Sequence, residues 1–85
     1  MSLVPGFAPD AMSQWKGLEF ELQERVLDEV EAIALSRPRV GEHIIDFVHL
    51  DANGMHYVFL RIYVDANVNR LSVIGVGYVR QELTP

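Results

Sequence analysis

Residues 55–64, Met-His-Tyr-Val-Phe-Leu-Arg-Ile-Tyr-Val, form the longest run in this chain that two-residue alternation sorts into two chemically different faces. Val58, Leu60, Ile62 and Val64 fall on one side, and Tyr57, Phe59, Arg61 and Tyr63 on the other, which is the period of an extended strand. The first set is purely aliphatic and suits packing beneath a helix. The second mixes aromatic rings with a guanidinium, a surface able to stack on flat groups and hold an anion. The run is read as a central strand whose aromatic side is the place to look for function. The same rings are also good strand formers that cover a half-exposed sheet, so an ordinary surface fits them too.

Length bounds what surrounds this strand. With 85 residues the chain is expected to form a single domain around one small core. It contains no cysteine, which excludes disulfides, thiolate metal sites and a cysteine nucleophile, so stability must come from apolar packing or from association. The reducing cytoplasm is the expected location. No apolar run is long enough to span a bilayer, and the opening residues lack the basic start and apolar block of a secretory signal. The formal charge of −5 opposes nonspecific nucleic-acid binding, which draws on excess Lys and Arg. Charge is unevenly spread, however. Glu19, Glu21, Glu24, Asp28, Glu29 and Glu31 crowd one segment, while Arg61, Arg70 and Arg80 lie in the strand-rich half.

In chain order, a short strand is expected at residues 2–4. Pro9 and Asp10 then stand where a first helical turn accepts a fixed φ and a negative charge, predicting a helix over 9–16 that Gly17 ends. Trp15 is read as a core anchor. Over 19–36, Leu22, Val26, Leu27, Val30, Ile33 and Ala34 give the spacing of a helix with one buried stripe. Glu21 and Arg25 stand four apart on it and can pair on the surface, and Arg37-Pro38 stops it. Residues 43–50 read as a second strand. Asp51-Ala52-Asn53-Gly54 supplies hairpin chemistry, so this strand should pair antiparallel with the central one. Asp65-Ala66-Asn67-Val68-Asn69 makes the next reversal. Residues 70–80 form the last strand, where Gly75 and Gly77 permit either a bend or bulge, or a close approach to the backbone.

The fold expected is therefore α+β, a helical hairpin packed on one face of an antiparallel meander of three to four strands. Leu22, Val26, Val30 and Ile33 should meet Val58, Leu60, Ile62 and Val64. The last strand is apolar on both faces, Val73 and Val79 against Ile74 and Val76, so one helical layer leaves apolar surface for a partner or a homodimer.

No cofactor and no metal site are expected. His43, His49 and Asp46 are suitable ligand types, but in a strand the two histidines share a face at opposite ends, roughly 20 Å apart, with Asp46 pointing away. Ser72, His49 and Asp46 supply the letters of a triad without any spacing that makes them one. The constellation left is Tyr57, Phe59, Arg61 and Tyr63, joined by Tyr78 and Arg80 if the last strand pairs beside it. Arg and Tyr together can position a phosphate, stack on bases and move a proton, the minimum for cleaving RNA with its 2′-hydroxyl as nucleophile.

The string Phe7-Ala8-Pro9-Asp10-Ala11, the short helix ending near Leu18, the segment Leu22-Gln23-Glu24-Arg25-Val26-Leu27, and a meander closing with Val73-Ile74-Gly75-Val76-Gly77-Tyr78-Val79-Arg80 together resemble the RelE/ParE superfamily of bacterial toxins. The resemblance spans residues 7 to about 80 and rests more on the order of elements than on any residue. It implies a first strand, a helical hairpin and a three-stranded meander, a cognate antitoxin as partner, and action either on mRNA in the ribosome or on DNA gyrase. By position, Arg61 matches the basic residue of the middle meander strand, Tyr78 falls in a closing Gly-His-Arg-like pattern, and Arg80 lies near the terminal basic residue. These three are the catalytic candidates the resemblance implies, Arg61 and Arg80 for the phosphate and Tyr78 for proton transfer. The family's nucleases are strongly basic, whereas this chain is acidic with one lysine, Lys16. The alternative is a protein-binding module of the same fold without catalysis.

Overall fold

The computed structural model describes residues 3–52 and 54–81. In chain order these form β1 (Val4–Phe7), α1 (Pro9–Lys16), α2 (Phe20–Ser36), β2 (Gly41–Asp51), β3 (Gly54–Asp65) and β4 (Arg70–Gln81). The architecture is the expected α+β one. β2, β3 and β4 make an antiparallel meander, and β1 adds a fourth strand parallel to β4, giving the order β1-β4-β3-β2. That strand runs over Val4–Phe7 rather than residues 2–4, because Pro5 sits on a sheet edge where its missing N–H costs no ladder bond. Ser2 lies outside the described residues.

Both helices cover one face of the sheet. Val58, Leu60, Ile62 and Val64 are all 2 % exposed or less, and they meet Leu22, Val26, Val30 and Ala34 from α2 with Leu71 and Val73 from β4. Burying each such side chain stabilises the fold by roughly 1.5–3 kcal/mol. The stripe on α2 is narrower than the sequence implies. Ile33 is only partly buried against the core and Leu27 is exposed, since a residue one step beyond Val26 is turned about 100° away from the sheet.

Local chemistry sets the boundaries. Pro9 follows extended Ala8 at the start of α1, and Gly17 ends that helix in right-handed geometry, its N–H donating to the carbonyls of Ser13 and Gln14. α2 ends at Arg37, which takes a left-handed φ of 51° before Pro38 because proline disfavours α geometry in the residue preceding it. Asp51 pairs with Gly54 across the hairpin; Asn53 lies outside the described residues. At the next reversal the Asp65 carboxylate accepts the Asn67 N–H at 2.9 Å and Asn69 takes a φ of 53°. Trp15 packs beside Phe7, ring centroids 5.7 Å apart, and its Nε1–H donates to the Gln23 carbonyl at 3.0 Å, tying α1 to α2. The Glu21–Arg25 pair that the spacing allows does not form. Arg25 instead contacts Glu29 at 2.9 Å with its guanidinium 4.8 Å above the Phe47 ring, while Glu21 turns towards the β2–β3 hairpin.

Candidate functional site

The sheet face away from the helices carries Tyr57, Phe59, Arg61 and Tyr63 on β3, with Ile44 and Val48 on β2 and Val79 on β4 exposed alongside. No described element covers it. Gly75 and Gly77 of β4 lie opposite Arg61 and Phe59, and a Cβ at either glycine would come within 3.5–3.6 Å of the neighbouring Cβ. The glycines therefore leave a shallow floor along which those two side chains lie. Arg61 Nε donates to Glu42 Oε1 at 2.6 Å, with both side chains well exposed. Its carboxylate partner is thus Glu42, diagonal to it on β2. An exposed pair of this kind contributes little stability and leaves Arg61 exchangeable to a stronger anion.

Tyr78 and Arg80 do not join this face. β4 pairs Val73 with Ile62 but Gly75 with Arg61, so one extra residue, Ile74, is inserted as a bulge. Before the bulge Leu71 and Val73 face the helix side; after it Val76, Tyr78 and Arg80 do, opposite Leu60, Val58 and His56, with Val76 buried and Tyr78 and Arg80 exposed. A single insertion reverses the phase of a strand. The expectation that Arg61, Tyr78 and Arg80 share one surface is corrected accordingly. The Val76 N–H beside the bulge is taken up by α1, donating to Gln14 Oε1 at 2.7 Å.

On the helix side, Tyr78 belongs to a polar chain at the hairpin end of the core. His56 is fully buried, its Nδ1 2.8 Å from the Tyr78 hydroxyl and its Nε2 2.9 Å from Asp51 Oδ2. The imidazole and phenol rings stack with centroids 5.7 Å apart. A carboxylate at Nε2 favours the tautomer protonated there, leaving Nδ1 to accept from Tyr78. The Asp51 contact is close but lies off the N–H axis, so Nε2 lacks an aligned hydrogen bond. Burial, then the carboxylates of Glu19 and Asp51, push the Tyr78 phenol above its ordinary value, with Arg80 pulling the other way. At neutral pH the phenol is a donor, not a base.

That shift has a sign. The unfolded phenol ionises near pH 10.0 and the folded one later, so the contribution to stability is complete below 10.0 and lost as pH rises through the folded value. Urea denaturation followed from neutral pH to beyond 10 should show a fall in stability that Tyr78→Phe reduces. An identical fall in the variant would refute this.

Sequence reasoning missed His56, although the signal was present: it lies on the same two-residue phase as Val58 and Leu60, an ionisable group on an aliphatic face. His43 and His49 share a side with Asp46 on the other, as the spacing predicts, and Ser72 pairs with Gly6 and Tyr63, whereas Asp46 and His49 pair with Phe59 and His56. Among the described residues no helix is long and apolar enough to cross a membrane.

No family model matches the chain, and no curated protein matches it in sequence. Two solved structures do match in shape. A chain of the intact E. coli RelBE toxin–antitoxin complex superposes with a TM-score of 0.66 at 18 % identity, over 94 % of this chain and 100 % of that one. The isolated E. coli RelE toxin gives a TM-score of 0.67, also at 18 % identity, over 95 % and 88 %. The chain has the fold of the RelE toxin.

Proposed function

We propose that this chain is the toxin-like member of a toxin–antitoxin pair, resident in the cytoplasm and held inactive by a cognate antitoxin laid over its surface. The observation that carries this reading is the open sheet face around Arg61, on a RelE fold matched along nearly its whole length, once from a complex with an antitoxin. An aromatic-flanked guanidinium on an uncovered sheet can hold an RNA phosphate between stacked bases. The target is ribosome-bound mRNA, with DNA gyrase as the alternative. In the ribonuclease form Arg61 binds the scissile phosphate. Tyr78 and Arg80 contribute only where the strand passes round the β4 end of the sheet, with Tyr78 acting as a proton donor.

One observation favours a second reading, a binding module without catalysis: Arg61 is already partnered by Glu42 at 2.6 Å in a chain of formal charge −5. Expression in a bacterial host without antitoxin separates the two. The toxin reading expects growth arrest with mRNA cleavage in the wild type, and a loss of roughly 100-fold in cleavage for Arg61→Ala, the scale of removing one group that stabilises transition-state charge. Arg80→Ala reports whether the helix-side face takes part. Arrest without cleavage points to gyrase, and harmless wild-type expression leaves the binding module.

A further inference from the structure

From the side chains gathered at the open end of the hairpin, we infer a divalent-cation site formed by Glu21, His49 and Asp51. The three come from different places. Glu21 stands on the first turn of α2, His49 near the end of β2, and Asp51 at its last position. One ligand atom from each lies within 4.8 Å of the others, with His49 Nε2 3.9 Å from Glu21 Oε2 and 4.0 Å from Asp51 Oδ2. Ligand atoms round a tetrahedral zinc ion, with bonds of about 2.0–2.1 Å, stand roughly 3.3 Å apart. Exposed Glu21 is the mobile arm that closes the difference.

Proximity of charged groups alone is common on acidic surfaces. What distinguishes this one is a pair of imidazoles. His49 Nε2 and His56 Nε2 are both buried without a hydrogen-bond partner, both lie near the same Asp51 oxygen, at 4.0 and 2.9 Å, and the His56 side chain is wholly enclosed. A buried polar atom without a partner is costly, and an ion between His49, Asp51 and Glu21 would give the His49 nitrogen one. His56, fixed by Tyr78 on its other nitrogen, stands 2.9 Å behind the Asp51 carboxylate, the place of the groups that back metal-binding carboxylates. One imidazole with two carboxylates suits zinc and neighbouring divalent ions. The bound ion would staple the start of α2 to the hairpin.

The test is titration of the full-length chain with zinc by calorimetry, and with cobalt(II) by visible absorption, after removal of metals by chelator. The expected result is one equivalent bound with a raised melting temperature, and affinity weakened at least tenfold in Glu21→Gln and His49→Ala. His43→Ala, altering a histidine elsewhere on β2, should bind as the wild type does. Glu21 is exposed, so its variant keeps the fold if His49→Ala does not. No binding by the wild type, or undiminished binding and stabilisation in Glu21→Gln, would overturn the site.

Discussion

Replacing Leu60 by alanine is expected to lower the free energy of unfolding by roughly 2 to 5 kcal/mol. Leu60 is fully buried at the middle of the central strand, paired with Ile45 on one side and Val76 on the other. Strand neighbours flank it and α2 lies above it, so the space left cannot readily collapse. A small domain has only about 5–15 kcal/mol in total, and the variant should be partly unfolded near physiological temperature. Denaturant titration with unchanged slope measures the loss directly. A change below about 1 kcal/mol would mean that the aliphatic face of β3 is not the core.

The second large effect is expected at His56. Removing its imidazole leaves a cavity, a half-buried Asp51 carboxylate without its neighbour and a Tyr78 hydroxyl without its acceptor. Leaving a buried polar group unsatisfied costs about 1–3 kcal/mol and the cavity adds to it, so His56→Ala should approach Leu60→Ala in severity. Tyr78→Phe, which deletes a single hydrogen bond, should cost about 1 kcal/mol. Measured at neutral pH in chelator, equal losses for the two variants would show that the chain from Asp51 to Tyr78 does not act through His56.

Where one physical rule governed a segment, its residues could be read directly. Alternation in β3 separated the faces correctly from Val58 to Val64, and the α2 stripe located the helix above them. Reading failed where a second interaction outbid a local rule. Glu21 and Arg25 have the spacing of a surface pair, yet Glu21 is drawn to the hairpin and Arg25 to Phe47 and Glu29. The glycines of β4 signalled a bend or bulge, and a bulge is present, but its position decides which letters face which way. Counting by twos along residues 70–80 cannot reveal that Ile74 is the unpaired residue; only the register against β3 does, and with it the separation of Arg61 from Tyr78 and Arg80. The pairing of Asp51 with His56 needed the hairpin closed before two residues five apart could be seen as neighbours.

In the strand order β1-β4-β3-β2, β1 and β2 are the outermost strands, β1 covering only Arg70–Val73 of β4, and the two differ in kind. β1 is four residues long and contains Pro5, so it offers too short and too broken a row of amides for another chain to zip onto. β2 is eleven residues long, which is the dimension of an aggregation template. Its exposed positions include Glu42 and Asp46, and a second copy docking edge to edge would bring those carboxylates against their own counterparts. An acidic composition that looks ill suited to grasping nucleic acid thus has a colloidal consequence: it sets like charges against edge-to-edge pairing of the sheet with itself.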